Sequence, residues 1–170
     1  MAYPAAIVFK NYNEVACPYL VNLNLILKLN LMAKTIIQEV VFQNTTPHAL
    51  YDLYMNADMH SLIAGGPVTI DDKEGSAFSA HGGYITGKNL QLVKDKLIVQ
   101  SWRALSWGPA AADSTFIIYL EQNGNDVALT MTHANIPDEH VASVEKGWFG
   151  HYWGPWKQHL AGEEITRPQM

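Results

Sequence analysis

Trp148, Tyr152 and Trp156 recur at four-residue steps near the C-terminus. Such a row of rings either fills a core or roofs an apolar guest. A second feature is His133, which ends an alternating row with Val127, Leu129 and Met131. Phe116, Ile118 and Leu120 form a similar row earlier in the chain. An imidazole at the end of an apolar row is a candidate for proton transfer at a cavity mouth, and equally a histidine hydrogen-bonded for structure. His81, beside Gly82-Gly83 and Tyr84, admits the same two readings. Trp102 and Arg103 lie on opposite faces of one alternating stretch, with Trp102 expected inward and Arg103 outward. Arg103 is expected to pair with Glu39 or Glu121; an inward arginine would instead imply a carboxylate-bearing ligand.

Metal and nucleophile chemistry find little support. The seven histidines include no HExxH and no pair four residues apart. His151 and His159 share roughly one helical side but are separated by about 12 Å of rise, too far for one ion. No metal or other cofactor is expected. Cys17 is the sole cysteine, so an internal disulfide is excluded and a reducing, cytoplasmic setting is expected. The chain contains no Gly-x-Ser-x-Gly elbow, phosphate loop or dinucleotide fingerprint.

These residues sit in a chain of 170, long enough for one domain with its own core. A hydrophobic content of 48%, with five Trp, eight Tyr and five Phe, is that of a globular protein and not of a disordered one. The net charge is -5, and only Arg103 and Arg167 are arginines. No basic face is available to displace counterions from nucleic acid or to meet an anionic membrane. No apolar run approaches the length needed to span a bilayer, so membrane insertion is not expected.

Residues 1–31 differ from the rest. They carry Glu14, Lys10 and Lys28 as their charges, and alternate Val21, Leu23, Leu25, Leu27, Leu29 and Leu31 with more polar positions. They read either as an added strand packing on the domain or as an extension upstream of a start at Met32; residues 32–170 are the domain proper. Within it, Lys34–Gln43 predicts a first strand. Thr46-Pro47 announces a helix, and Asp58 is expected to cap a second one ending at Gly65-Gly66. Strand signals follow over 68–70, 76–81, 84–93, 97–107, 115–122 and 127–136, with Asn123-Gly124-Asn125-Asp126 as a hairpin turn. From Pro137 a helix runs to Gly162, and Pro155 is expected to kink or divide it. The expected architecture is α+β: a curved antiparallel sheet wrapped around one long C-terminal helix, with two short helices after the first strand and a space between sheet and helix.

The chain resembles the activator of heat-shock-protein-90 ATPase homologue family of the START-like SRPBCC superfamily. The resemblance covers residues 33–161. It is carried by Lys34-Thr35-Ile36 to Phe42, Thr46-Pro47-His48-Ala49-Leu50-Tyr51 and Asp58-Met59-His60; by Gly75 to Ala80, Gly83-Tyr84-Ile85-Thr86-Gly87 and Ile98 to Arg103; and by Thr132-His133, Pro137, Gly147-Trp148, His151-Tyr152-Trp153, Pro155-Trp156-Lys157 and Leu160. It implies the helix-grip fold of the birch-pollen allergen and a hydrophobic cavity under the C-terminal helix. The superfamily hosts binders, cyclases and co-chaperones, so fold alone does not fix chemistry. The eukaryotic activators also carry an N-terminal chaperone-binding domain, for which residues 1–31 are far too short.

The leading expectation is a non-catalytic module, monomer or homodimer, holding an apolar small molecule between Phe78, Tyr84, Trp102, Phe116, Met131, His133, Trp148 and Tyr152. One alternative is a chaperone-cofactor or stress-response module that binds the heat-shock-protein-90 chaperone. Another is a cyclase- or hydrolase-like enzyme using His133, His81 or Tyr84 as acid or base.

Overall fold

The structure, a computed structural model, describes residues 33–167. The readings of residues 1–31, Cys17 included, lie outside the described residues. Among the described residues six strands are present: β1 (Ala33–Phe42), β2 (Ala77–Ala80), β3 (Ile85–Val93), β4 (Leu97–Ala104), β5 (Ser114–Asn123) and β6 (Asp126–Pro137). They form one antiparallel sheet in the order β1-β6-β5-β4-β3-β2. The expected curved sheet and long C-terminal helix are both found, and this is the helix-grip arrangement.

Alternation sets which side chains enter the core. Ile98, Gln100, Trp102 and Ala104 of β4 are buried, as are Phe116, Ile118 and Leu120 of β5 and Val127, Leu129, Met131 and His133 of β6. In β6 the alternation then breaks. Asn135 takes a positive φ of 64°, and the pairing with β1 shifts register between Lys34–Ile136 and Ile36–His133. This bulge returns Ile136 to the core. Gly87 of β3 lies opposite Trp102. A Cβ there would stand 1.9 Å from the Ser101 carbonyl oxygen and 2.6 Å from the Phe78 ring, so only glycine lets Phe78 pack down.

Two short helices follow β1, α1 (Pro47–Met55) and α2 (Ala57–Ala64). Thr46 Oγ1 accepts from the Ala49 amide at 3.2 Å, the expected cap. The expected cap at Asp58 is not observed. Asn56 accepts from the Asp58 and Met59 amides instead, because only a residue ahead of the first turn can reach those orphan donors. Gly65 closes α2 in the left-handed region, at φ 79°. Residues 68–70 give only a single bridge, Thr69 to Ser79. The strand expected over 97–107 stops at Ala104.

The C-terminal helix begins with a 3-10 turn, Asp138–His140, and continues as α3 (Val141–Trp148), a π-helical turn (Phe149–Trp153) and α4 (Gly154–Leu160). Pro155 does not break it: Trp153 and Gly154 both keep right-handed helical angles. In an α-helix the Pro155 ring would meet the His151 carbonyl and leave it without a donor. The chain widens just before, and the Gly154 amide bonds the Phe149 carbonyl five residues back. The wider turn brings Trp153 inward beside Tyr152, and both are buried with Trp148 and Trp156.

Candidate functional site

The space between sheet and helix is filled at its centre by aromatic packing. Phe116 of β5 and Trp148 of α3 stack face to face, with centroids 4.3 Å apart and 4° between planes. Toward β3 and the start of α3 the packing opens into a cavity of about 420 Å³. Its rings are Tyr84, Trp102, Trp107, Trp148 and Tyr152, with Ile85, Ala104 and Val144 between them. Its polar groups are His81, His140, His151, Ser106 and Ser143. None of the lining residues is Lys, Arg, Asp or Glu.

Four of the residues expected at a ligand site, Tyr84, Trp102, Trp148 and Tyr152, are brought together on this wall. The other four, Phe78, Phe116, Met131 and His133, are buried in the core and do not line the cavity. For His133 the reason is the stacked pair Phe116–Trp148, whose rings pack edge-on against the imidazole. His81 lies on the wall, held at a positive φ of 51°. Arg103 points away from the sheet's buried face as expected but pairs with neither Glu39 nor Glu121. Its guanidinium donates to the carbonyls of Ala111 (2.7 Å) and Gly108 (2.8 Å) and lies 3.3 Å from the Asp113 carboxylate. The loop after β4 curls back over β4's own arginine, closer than either distant strand carboxylate. That loop carries Trp107 into the cavity wall.

Buried polar chains fix the wall's rings. The Trp148 indole donates to His133 Nδ1 at 3.0 Å. An indole N–H only donates, so Nδ1 is unprotonated and Nε2 carries the proton. Nε2 then donates to Ser114 Oγ at 2.7 Å, and Ser114 donates to the Trp102 carbonyl at 2.8 Å. Burial pushes the His133 pKa down to about 3; a second ring proton would also confront the Trp148 N–H. On the opposite side His60 Nδ1 donates to the Tyr54 carbonyl at 2.8 Å, which leaves Nε2 to accept from the Tyr152 hydroxyl at 3.2 Å. Burial lowers the His60 pKa to about 4, against the raising effect of that backbone bond. The Tyr54 hydroxyl donates to Gln100, Gln100 to Asn89, and Asn89 to the Asp71 carbonyl, at 2.7, 2.7 and 2.6 Å. These fully paired chains are ordinary acceptor–donor matching and raise the rigidity of the wall.

His81 and His151 meet at the end of the cavity beside Tyr152, their rings 5.3 Å apart and 72° from parallel. Both pKa values are lowered, chiefly by burial. Among the described residues His151 Nδ1 is buried without a hydrogen-bond partner. Among the described residues, too, no group of three or more His, Cys, Asp or Glu is placed to hold a metal, and no helix is long and apolar enough to cross a membrane. Residues that sequence reasoning missed are Trp107, Trp153, His60 and Tyr54. The only local signal for Trp153 is the adjacent Gly154-Pro155, which widens the turn; nothing near His60 in sequence points to Tyr152.

Comparison with known proteins places this geometry. The chain is 26% identical over 114 residues to the human Activator of 90 kDa heat shock protein ATPase homolog 1, the match covering 67% of this chain and 33% of that protein. A Dictyostelium discoideum protein of the same description is 27% identical over 103 residues, 61% of this chain and 27% of that one. The match thus spans about a third or less of these curated relatives. Among solved structures, an HSP90 activator from Plasmodium falciparum superposes with a TM-score of 0.65 at 22% identity, covering 79% of this chain and 99% of that one. CalU16 from Micromonospora echinospora gives 0.65 at 18% identity, with 78% and 77% covered. These likenesses show the fold. The sequence pattern of the Activator of Hsp90 ATPase homolog 1-like proteins matches residues 44–159, from the cap of α1 through the last turn of the C-terminal helix, and the chain belongs to that family.

Proposed function

We propose that the domain is a non-catalytic binding module that holds an apolar small molecule in the cavity between β3, β4 and α3. The observation that carries this reading is the wall itself: about 420 Å³ bounded by five aromatic rings and no charged side chain. That volume falls in the range of about 300–1,000 Å³ typical of small-molecule sites. Each 100 Å² of ligand surface buried there contributes about 2.5 kcal/mol before the costs of association. The buried chains through His133 and His60 hold Trp148 and Tyr152 in place before a ligand arrives, which reduces the ordering cost of binding. Trp102, Trp107 and Trp148 are three of the five tryptophans, so occupancy should change intrinsic fluorescence. Titration with fatty acids, sterols and polycyclic aromatics tests this; no saturable change across the panel overturns it.

A second reading is that the domain engages the Hsp90 chaperone, with cytoplasmic residence as its corollary. It is supported by family membership and by the names of the relatives. Pull-down of the chaperone's middle domain by this chain tests it, and failure to retain a complex at micromolar concentration counts against it.

A further inference from the structure

Resting on the reading of the cavity as a binding site, we propose that its ligand is a flat, uncharged aromatic molecule bearing a hydroxyl group, with that hydroxyl seated between His81 and His151. The indoles of Trp102, Trp107 and Trp148 form much of the wall, and Trp148 cannot turn to suit a flexible guest. It is pinned by its stack on Phe116 and its bond to His133. The polar end is equally specific. His151 Nδ1 is buried and has no partner among the described residues, while His81 faces His151 at a centroid distance of 5.3 Å. Burial lowers the pKa of both rings and favours their neutral form. A neutral imidazole offers one donor and one acceptor, and a hydroxyl answers both.

A carboxylate or ammonium on the ligand would lose its water and find no opposite charge on the wall. Arg167, whose charge is felt at His151, is turned to the end of α2, where its guanidinium donates to the Ile63 carbonyl at 2.9 Å and to that of Leu62. A long acyl chain would in addition lose rotamer freedom against rigid rings.

The test is calorimetric titration of the full chain with 1-hydroxypyrene, pyrene-1-carboxylate and palmitate. The expected result is that 1-hydroxypyrene binds about tenfold or more tighter than either anion, the factor for one well-made hydrogen bond. His151→Phe should lower its affinity about tenfold, and His151→Gln, which retains a donor and an acceptor, should restore most of it. Thermal melts of both variants confirm that they fold. Palmitate or pyrene-1-carboxylate binding as tightly as 1-hydroxypyrene, or His151→Phe leaving 1-hydroxypyrene unaffected, overturns the inference and leaves the cavity reading standing. Failure of all three probes to bind counts against both.

Discussion

His133 makes the fold acid-labile in a way that one substitution should expose. Its ring is wholly buried and neutral, and its folded pKa of about 3 lies below the ordinary histidine value of 6.5. The stabilisation is therefore intact above the unfolded pKa and is lost as the pH falls from about 6.5 toward about 3. At about pH 4.5 the unfolded chain binds a proton that the folded chain refuses, at a cost of about 3 kcal/mol for this residue. His60, with a folded pKa of about 4, adds a similar amount, so the two together remove about 5–6 kcal/mol between neutral pH and about pH 4.5. His133→Gln retains an acceptor for Trp148 and a donor for Ser114. It should be less stable than the wild type at neutral pH by about 1–2 kcal/mol. It should nevertheless lose about 3 kcal/mol less on acidification, because glutamine does not titrate. Urea denaturation followed by tryptophan fluorescence at several pH values measures both. Identical pH slopes in variant and wild type would refute the assignment of His133 as a buried neutral ring.

Gly87→Ala places a methyl group against the Ser101 carbonyl, and a backbone oxygen in a sheet cannot step aside; a loss of about 1–3 kcal/mol or more is expected, and an unchanged melting temperature would contradict the packing of Phe78 over this site. Trp153→Phe removes the indole donor that reaches Gln38 Oε1 at 2.6 Å and should cost about 1–3 kcal/mol; Gln38→Leu in the same background should recover part of the loss by removing the stranded acceptor, as chemical denaturation would show. Arg103→Ala frees the carbonyls of Gly108 and Ala111 and should speed amide hydrogen exchange in residues 105–113 while the strands keep their protection; because that loop carries Trp107, ligand affinity should fall with it.

The strands were legible because a half-buried strand writes its faces into alternate positions. Gln100, Trp102 and Phe116 point inward as their parity requires. The Thr46 cap, the Gly65 stop and the turn at 123–126 were legible for the same reason, since each is a local backbone demand met by a local residue. Parity does not report depth. Phe116 and His133 face the same side as Trp102 but lie behind Trp148, and only the seating of the C-terminal helix decides which rings border open space. Asp58 and Arg103 show a related limit. At α2 the Asn56 side chain, placed ahead of the first turn, took the cap, and Arg103 was met by the carbonyls of its own following loop before it could reach Glu39 or Glu121. The Tyr152–His60 contact joins residues 92 positions apart, and Trp153 enters the core only because the helix ahead of Pro155 is not a regular one.

That irregular turn also bears on how the helix tolerates changes in length. Two α-helical turns take about seven residues, yet Trp148 and Trp156 face the same interior and are eight apart. The surplus residue is absorbed between Phe149 and Trp153. Deleting Gly150, on its own, would tighten the coil and drive the Pro155 ring into the carbonyl ahead of it. Combined with Pro155→Ala, the same deletion would give a regular helix with both indoles still aligned. A deletion placed after Pro155 has no such slack to draw on and would swing Leu160 about 100° out of register.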